Sequence, residues 1–487
     1  EGLGKIADWW IPITPGSDGA LALAMLKLII DSGRYDHEFV EKYTRGFEEF
    51  KTYLDTQTME QLSKWCGISV TDIEKLTDIF CSTAKIPLVA YTGLEYQLSA
   101  IQNNRAIFVL WAITGKLDAP GAIYLNAKGL ETPKLFEIPE DDKPIGVDEF
   151  PLFYKFSGQG QFSRFPKAVL EDEPYPVRGL MILGGSPVLS FPDSKSWREA
   201  YKKLDCLIVL DRYFTEDARY ADVVFPACSL FEVPKAVPGP EGPHIVEPLI
   251  EPVGESKNDV LIMGAIAKKL GFGDKLPQTE EELRSWLLSG TAPYAGDFGT
   301  SADQKKEKHY KKYETGELRA DGKPGFPTPS GKLEICSTIL EENGFVPYPE
   351  YKDVRSIPGL AGKEYPFTMT SGARSNNRMG VFGANLDKIA EIEPYPFVDI
   401  NAEDAKEIGI KDGDMVKVIT PFADGTFKAK IRGIARHAIH IPHGGGSAYM
   451  AEPWKNGNVN DLCSLDYADP MTGFVLIKSV PCRVEKV

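Results

Sequence analysis

Residues 179–228 have the sequence GLMILGGSPVLSFPDSKSWREAYKKLDCLIVLDRYFTEDARYADVVFPAC, and this stretch decides the fold. Three apolar runs within it, 180–183, 206–210 and 223–225, are short and unbroken. Such runs are typical of parallel strands that helices cover on both faces. The stretch therefore predicts a parallel α/β sheet.

Glycines and polar residues follow two of these strands at the point where each strand ends. Gly184, Gly185 and Ser186 follow the first strand, and Asp211 follows the second. Ligands of open α/β sheets bind at the carboxyl ends of the strands, so these residues predict a ligand site. Between the two strands, Asp193 is placed to cap a helix.

Length, charge and cysteine spacing exclude several classes of function. The 487 residues predict roughly three domains of ~150 residues. A formal charge of -15 argues against a nucleic-acid partner, which needs clustered Lys and Arg. The longest apolar run, 20–30, is shorter than the ~20 residues that cross a bilayer, so we predict no direct membrane span. Seven cysteines without a CxxC pair indicate no disulfide framework and no metal-ligating cluster in the chain.

The fold class that follows is α/β, with a β-rich end. We predict a partial αβα domain over 1–150, an αβα nucleotide-binding domain over 151–355, and a β-barrel domain over 356–487. The barrel prediction rests on three strand-like segments, YPFTMTSG, MVKVIT and TFKAKIRG.

The barrel region contains three histidines at intervals of three residues, His437, His440 and His443. Residues at this spacing on a strand point to alternate faces, so we do not expect the three side chains to share a metal.

The first predicted domain contains an acid with two interpretations. Ser17 or Asp18 stands where the helix over 20–30 needs a cap. Alternatively, the Asp18 carboxylate accepts paired N–H donors of the kind that a guanine edge presents.

Two further patterns in this domain concern a helix and a strand. Thr71 is placed to cap a helix. Residues 87–97 predict a strand that runs into a loop at Gly93. Gln97 on that loop is either a solvated amide or a ligand contact.

Several segments together, in order along nearly the whole chain, resemble the molybdopterin oxidoreductases of the dimethyl sulfoxide reductase family. The segments include WWIPITPGSDGALAL, MILGGSPVLSFPD, LIVLDRYFTEDARYADVVFPA, IEPVGESKND, TPSGKLEI, TSGAR and NDLCSLDYADPMTGFVLIKSVPCRVEKV. The resemblance implies the family's formate dehydrogenase-like αβα domains followed by a double-psi β-barrel. Within that fold, 1–150 would be part of the third domain and 151–355 part of the second.

The resemblance also implies a cofactor, bis-molybdopterin guanine dinucleotide with Mo or W. Diphosphates suit glycine loops and helix N-termini, and guanine suits a carboxylate. The cofactor-binding residues that it implies are Asp18, Gln97, Gly184, Gly185, Ser186, Pro187, Asp211, Thr215, Ser371, Gly372, Arg374, Asn460 and Lys478. Three positions depart from the family pattern: Ser17 replaces a Thr, Asp217 stands where many members have Thr, and the turn containing Arg374 is shifted by one residue.

The family's four-iron cluster and the protein ligand of its metal have no counterpart in the sequence. We therefore expect the chain to be the carboxyl-terminal part of a larger catalytic subunit that works with an iron–sulfur electron-transfer subunit. No export signal is visible, which favours the cytoplasm, with a periplasmic location open if a leader has been removed. We place part of a substrate funnel in the aromatic segment 126–175.

Three functions remain open on the sequence. The first is oxygen-atom or hydride transfer at the metal. The second is a non-redox hydratase or dehydroxylase, because DEPYPVRGL and IPHGGG are similar to segments of acetylene hydratase, a member of the same family. The third is a cofactor-free structural subunit of a respiratory complex.

Overall fold

The computed structural model describes residues 3–126, 143–237, 243–289, 309–372, 386–450 and 452–487. Its first part is a bundle of helices around α1 (Asp18–Asp31). The elements that follow are α2 (His37–Tyr43), β1 (Thr44–Arg45), α3 (Phe47–Asp55), α4 (Met59–Cys66), α5 (Val70–Ser82) and α6 (Ala100–Ile113). Helix α1 buries apolar side chains on almost every face, and α3, α4, α5 and α6 all contact it. An apolar helix of this kind must lie inside a bundle.

Two local predictions for this bundle are wrong. Helix α5 is capped by Ser69, whose hydroxyl accepts from the Asp72 amide at 3.1 Å, and not by Thr71. Residues 87–91 form no strand, because none of the described strands lies beside them. Val89 and Tyr91 are 88% and 81% exposed. A strand is stable only where a neighbouring strand forms hydrogen bonds with its amides and carbonyls. The apolar pattern alone was therefore not sufficient to predict a strand at 87–91.

The stretch 179–228 forms the predicted parallel sheet. Its strands are β2 (Gly179–Leu183), β3 (Cys206–Asp211) and β4 (Val223–Pro226), in that order across the sheet. The helices around them are α7 (Pro151–Ser157), α8 (Phe165–Glu171), α9 (Pro187–Ser190) and α10 (Ser194–Lys203). Asp193 caps α10, as predicted, because its carboxylate accepts from the Ser196 amide at 3.2 Å.

The chain between the sheet and the barrel ends with a segment that returns to the helical bundle. Its elements are the antiparallel pair β5 (Lys235–Val237) and β6 (His244–Val246), then α11 (Asp259–Lys269), α12 (Glu280–Leu288), α13 (Lys312–Thr315), β7 (Leu333–Glu334) and α14 (Thr338–Glu342). Strand β7 pairs with β1, and Lys312 Nζ lies 2.6 Å from the buried Asp118 carboxylate. The domain limits proposed from the sequence stay predictions, but residues 309–351 pack on the bundle and not on the sheet.

The last part of the chain is the predicted barrel, and it is closed by six strands. They are β8 (Phe367–Ser371), β9 (Phe397–Asn401), β10 (Met415–Ile419), β11 (Asp424–Arg432), β12 (Ala438–Ile441) and β13 (Val480–Lys486), with helices α15 (Asp387–Ile392) and α16 (Ala402–Glu407) between them. The order around the barrel is β10-β11-β9-β12-β8-β13. Apolar residues at alternate positions of β10 and β11, such as Val416 and Val418, fill the interior. No helix in the described ranges has the length and apolar character needed to cross a bilayer.

Candidate functional site: two cavities and a helix turn

One cavity brings together residues from three distant parts of the chain. It has a volume of about 450 Å³, and Gly372, Asn460 and Lys478 all line it. Its walls include the rings of Tyr96, Phe153, Phe162, Phe191 and Phe474. Three of the predicted cofactor residues thus meet in one aromatic cavity of the size that small-molecule sites have. The cavity is also lined by part of 143–175, the described part of the predicted funnel.

Among the described residues that line this cavity, Lys478 carries the ammonium group. Its ammonium donates to the Ser371 carbonyl at the end of β8, and burial lowers the pKa of Lys478. Gly372 lies beside it with φ +91°, and a Cβ on Gly372 would lie 2.5 Å from Lys478 Nζ. Glycine is therefore favoured here by its backbone angle, and a Cβ would displace the Lys478 ammonium. The Ser371 hydroxyl donates to the Ile477 carbonyl at 3.0 Å, which holds the end of β8 next to the residue that precedes Lys478.

Asn460 connects the cavity to the sheet. It lies in a short 3-10 helix, Val459–Leu462, and its side-chain amide donates to the Leu189 carbonyl at 2.7 Å. His443 also lines the cavity, with Nδ1 3.5 Å from Asn460 Nδ2. No role was predicted for His443 beyond the expectation that it does not share a metal with His437 and His440. The available signal was the HGGG run directly after β12, because a polar residue at a strand end often faces a ligand.

A second, smaller cavity lies at the carboxyl ends of β2 and β3. Its volume is about 280 Å³, and Gly184 and Asp211 both line it. Gly184 has φ +59°, and no atom lies within 4 Å of where its Cβ would be, so its backbone faces open space. Asp211 is 7% exposed, and its carboxylate accepts from the Tyr213 amide at 3.0 Å. Burial raises the pKa of Asp211. The structure thus places a glycine turn and a desolvated acid side by side.

Other predicted residues of this region make contacts inside the protein. The Ser186 hydroxyl donates to the Asp217 carboxylate, and the Thr215 hydroxyl accepts from the Ala218 amide at 3.2 Å. Pro187 is buried as the first residue of α9. Gly185 follows Gly184, and the nearest atoms to where a Cβ on Gly185 would lie are 4.0 Å away. Asp217, which departs from the family pattern, is therefore a structural acceptor.

Asp18 and Gln97 lie at a third place, the turn that begins α1. Ser17 is the N-cap residue of α1, and Asp18 is the first helical residue. The Ser17 side chain makes no capping bond, because its hydroxyl donates to the Thr14 carbonyl at 2.7 Å. Gln97 is 3% exposed and is not a solvated amide. Its side chain donates to the Gly93 carbonyl at 3.0 Å and accepts from the Ser479 hydroxyl at 2.6 Å. Gln97 therefore holds the bundle against the barrel.

The two acids assigned to guanine do not share an environment. Asp18 lies beside Tyr351, whereas Asp211 lies beside Cys228 and Asp259. The two acids therefore lie at separate places in the fold. Arg374 lies outside the described residues.

The charge of Asp18 is expected to make stability depend on pH. Burial raises the pKa of Asp18 from 3.8 to about 6, so the folded chain holds the proton more tightly than the unfolded chain. The tighter binding of this proton stabilises the folded chain. The stabilisation is complete below about pH 4 and is lost as the pH rises through about 6. Asp18→Asn should therefore be more stable than the wild type at pH 7 by about 1–2 kcal/mol, after allowance for partial exposure, with no gain at pH 4.

Hydrogen exchange in peptides from α1 of the nucleotide-free chain, corrected for the intrinsic exchange rate at each pH between pH 4 and pH 7.5, measures this difference. The exposed Asp8→Asn is the matched control, and it should follow the wild type at every pH. Parallel curves for Asp18→Asn and the wild type would rule out a raised pKa for Asp18.

Comparison with protein families gives two matches along the chain. Residues 4–269 match the molybdopterin oxidoreductase family, and residues 368–481 match the molybdopterin dinucleotide-binding domain. The first match contains the α1 turn and the smaller cavity. The second contains Gly372, Asn460 and Lys478.

Several curated proteins are similar to this chain. The probable oxidoreductase YoaE of Bacillus subtilis is 29% identical, over 85% of this chain and 59% of its own length. Acetylene hydratase of Syntrophotalea acetylenica is 26% identical, over 90% of this chain and 64% of its own length. The F420-dependent formate dehydrogenase subunit alpha of Methanocaldococcus jannaschii is 28% identical, over 90% of this chain and 65% of its own length. The chain thus spans less than two thirds of the length of these relatives.

A solved structure, acetylene hydratase from Pelobacter acetylenicus, has the same fold. The TM-score is 0.79 at 21% identity, and the match covers 100% of this chain and 72% of the other. This match confirms the predicted fold class, and the family match covers more than half of the 487 residues. The chain therefore belongs to the molybdopterin oxidoreductase family.

Proposed function

We propose that this chain binds bis-molybdopterin guanine dinucleotide with Mo or W, in an enzyme that transfers an oxygen atom or hydride equivalents at the metal. The observation that carries the proposal is the 450 Å³ cavity on which Gly372, Asn460 and Lys478 converge. A flat heteroaromatic ring with polar edges fits its aromatic walls. A buried ammonium and a side-chain amide supply the polar contacts that fix such a ring in one orientation.

The described residues fit each part of the cofactor. Asn460 and Lys478 would hold a pterin, and the open backbone of Gly184 would allow a diphosphate to approach. Asp211 and Asp18 would each accept the paired N–H groups of a guanine. No group of His, Cys, Asp and Glu side chains suited to a metal occurs among the described residues, and the soft sulfur atoms of the pterin dithiolenes are suitable ligands.

The cofactor supplies the redox chemistry, and the chain's own residues orient it. Lys478 would place a cation next to the pterin, between aromatic walls. Low local polarity strengthens each of these contacts. The protein thus positions the reacting atoms.

The partners and substrate belong to the same proposal. Two of the similar proteins are alpha subunits of formate dehydrogenases, which supports a catalytic subunit that passes electrons to an iron–sulfur subunit. The iron–sulfur cluster would be bound outside this chain. Formate is a candidate substrate because a formate dehydrogenase subunit is among the relatives. Nitrate is another, because the assimilatory nitrate reductase catalytic subunit of Bacillus subtilis is 26% identical to this chain.

A hydratase is the second candidate, and the likeness in fold and sequence to acetylene hydratase supports it. A cofactor-free structural subunit agrees less well with the cavity, because the desolvated Lys478 ammonium between aromatic rings would then have no ligand to bind. The electron balance distinguishes the two enzyme classes.

Assays of the intact enzyme with viologen dyes test the proposal. We expect oxidation of formate to reduce the dye, or reduction of nitrate to oxidise it, in proportion to the substrate consumed. Hydration of acetylene with no change in the dye would show that the hydratase assignment is correct instead.

A further inference from the structure

The residue after Lys478 is bound by a loop of the helical bundle. Ser479 and Gln97 are each 3% exposed, and the Ser479 hydroxyl donates to Gln97 Oε1 at 2.6 Å. Gln97 Nε2 donates in turn to the Gly93 carbonyl at 3.0 Å. Both polar groups of the Gln97 side chain therefore have partners inside the protein.

The residue before Lys478 is bound by the same loop. The Ile477 amide donates to the Tyr96 carbonyl at 3.3 Å, and the Ile477 carbonyl accepts from the Ser371 hydroxyl. Strand β13 begins only at Val480, so the strand pairing of the barrel starts after Lys478. The contacts of its two neighbours along the chain therefore fix the backbone of Lys478.

The turn before α1 packs against both partners of the hydrogen bond between Ser479 and Gln97. Gly16 has φ +88°, and a Cβ on it would lie 2.7 Å from Gln97 Oε1 and 2.8 Å from the Ser479 hydroxyl oxygen. A side chain at this position would push the two groups apart, whereas glycine permits the close approach. The hydrogen bond is thus enclosed by the turn that leads to Asp18.

The place of the Lys478 ammonium in the aromatic cavity depends on this backbone. A lysine side chain has many rotamers and loses much of that freedom when it is fixed. None of the described residues that line the cavity has a carboxylate with which the ammonium could pair. The ammonium donates instead to the Ser371 carbonyl. A shift of the backbone at Lys478 would therefore move the ammonium directly.

We propose that Gln97 is a positioning residue, which holds the Lys478 ammonium in the aromatic cavity through the hydroxyl of Ser479. The inference rests on the proposed function, because the ammonium is proposed to contact the pterin there. Gln97 lies in the bundle and Lys478 at the start of the last barrel strand, so their hydrogen-bonded connection sets the distance between the two parts at the cavity. The neutral amide supplies both the donor and the acceptor that this connection needs.

A double-mutant cycle on the pterin retained by the intact enzyme tests the inference. Lys478→Met should reduce retention at least about tenfold. Ser479→Ala should reduce it about threefold, as for one neutral hydrogen bond. If Ser479 acts through Lys478, the double variant should lose no more pterin than Lys478→Met alone. Independent effects would instead multiply to a loss of about thirtyfold.

A second variant and a control accompany the cycle. Gln97→Met keeps the length of the side chain and removes the acceptor, so it should also lose pterin about threefold and add nothing to Lys478→Met. Thr77→Val removes an equally buried hydroxyl from α5, where it donates to the Ile73 carbonyl. This control should retain pterin as the wild type does. Retention is measured for equal amounts of folded protein.

Chemical labelling reports the position of the ammonium without the cofactor. In the cofactor-free 487-residue chain, acetic anhydride should modify Lys478 at least about threefold faster in Ser479→Ala than in the wild type at the same pH. The reason is that a released side chain leaves the Ser371 carbonyl for water. The exposed Lys406 is the internal reference, and its rate should not change. Mass spectrometry of the two peptides measures both rates.

Three results would overturn the inference. If the losses in the cycle multiply, Gln97 and Ser479 support the fold without acting through Lys478, and the proposed function stands. If Ser479→Ala retains all its pterin, or if its Lys478 is labelled at the wild-type rate, the hydrogen bond does not position the ammonium. If Lys478→Met itself retains all its pterin, the ammonium does not contact the cofactor, and the proposed function loses this contact as well.

Discussion

Asp217→Ala is expected to lower the free energy of unfolding of the sheet region by about 3–5 kcal/mol. Asp217 is fully buried, and its carboxylate accepts from the Ser186 hydroxyl, from the Val188 amide at 3.1 Å and from the Tyr201 hydroxyl at 2.8 Å. Alanine would leave these donors buried without an acceptor. Each orphaned donor costs about 1–3 kcal/mol, so the loss is large even if part of the site relaxes.

Hydrogen exchange in peptides from residues 179–226 measures this loss where it occurs, because a chain of this size does not unfold in one step. Asp217→Asn keeps the shape and one acceptor oxygen, so it should cost less than half as much. The exposed Asp274→Ala should change exchange by less than about 0.5 kcal/mol. A loss below about 1 kcal/mol in Asp217→Ala would contradict the assigned role.

Lys478→Met is expected to reduce the pterin retained by the protein at least tenfold. A charge-assisted hydrogen bond is worth about 1.5–3 kcal/mol, which corresponds to a factor of about 10–100. Methionine preserves the length of the side chain and removes a desolvated charge. The stability of the cofactor-free chain should therefore change by no more than about 1 kcal/mol.

The control for this variant is Lys406→Met, which replaces an exposed lysine on α16 in the same barrel. It should retain pterin as the wild type does. The measurement is the fluorescence of oxidised pterin released from equal amounts of folded protein. Full retention in Lys478→Met would show that the ammonium does not contact the cofactor.

The sequence predicted the part of the site that depends on local order. Short apolar runs predicted β2, β3 and β4, and parallel strands necessarily end at the same edge. Gly184 and Asp211 therefore had to lie close together. Asn460 and Lys478 are different, because only the closed barrel and its contact with Leu189 bring them to one cavity. The family resemblance, and not periodicity, indicated those two residues.

Sequence patterns failed where distant contacts decide the outcome. The apolar residues 87–91 have strand propensity but no neighbouring strand within the described chain. The burial of Gln97 depends on Ser479, more than 300 residues away. Asp259 resembles an ordinary first-turn acid until the structure places it beside Asp211. In each case the chemistry of a side chain depends on what the fold places next to it.

The central claim is that the acids and glycine turns of this chain hold the nucleotide tails of a pterin cofactor. Acid treatment of the intact enzyme, followed by mass spectrometry of the released small molecules, tests it most directly. We expect two equivalents of GMP and one of Mo or W for each chain, with GMP reduced in Asp211→Asn. A folded, active enzyme that releases no guanine nucleotide would contradict it.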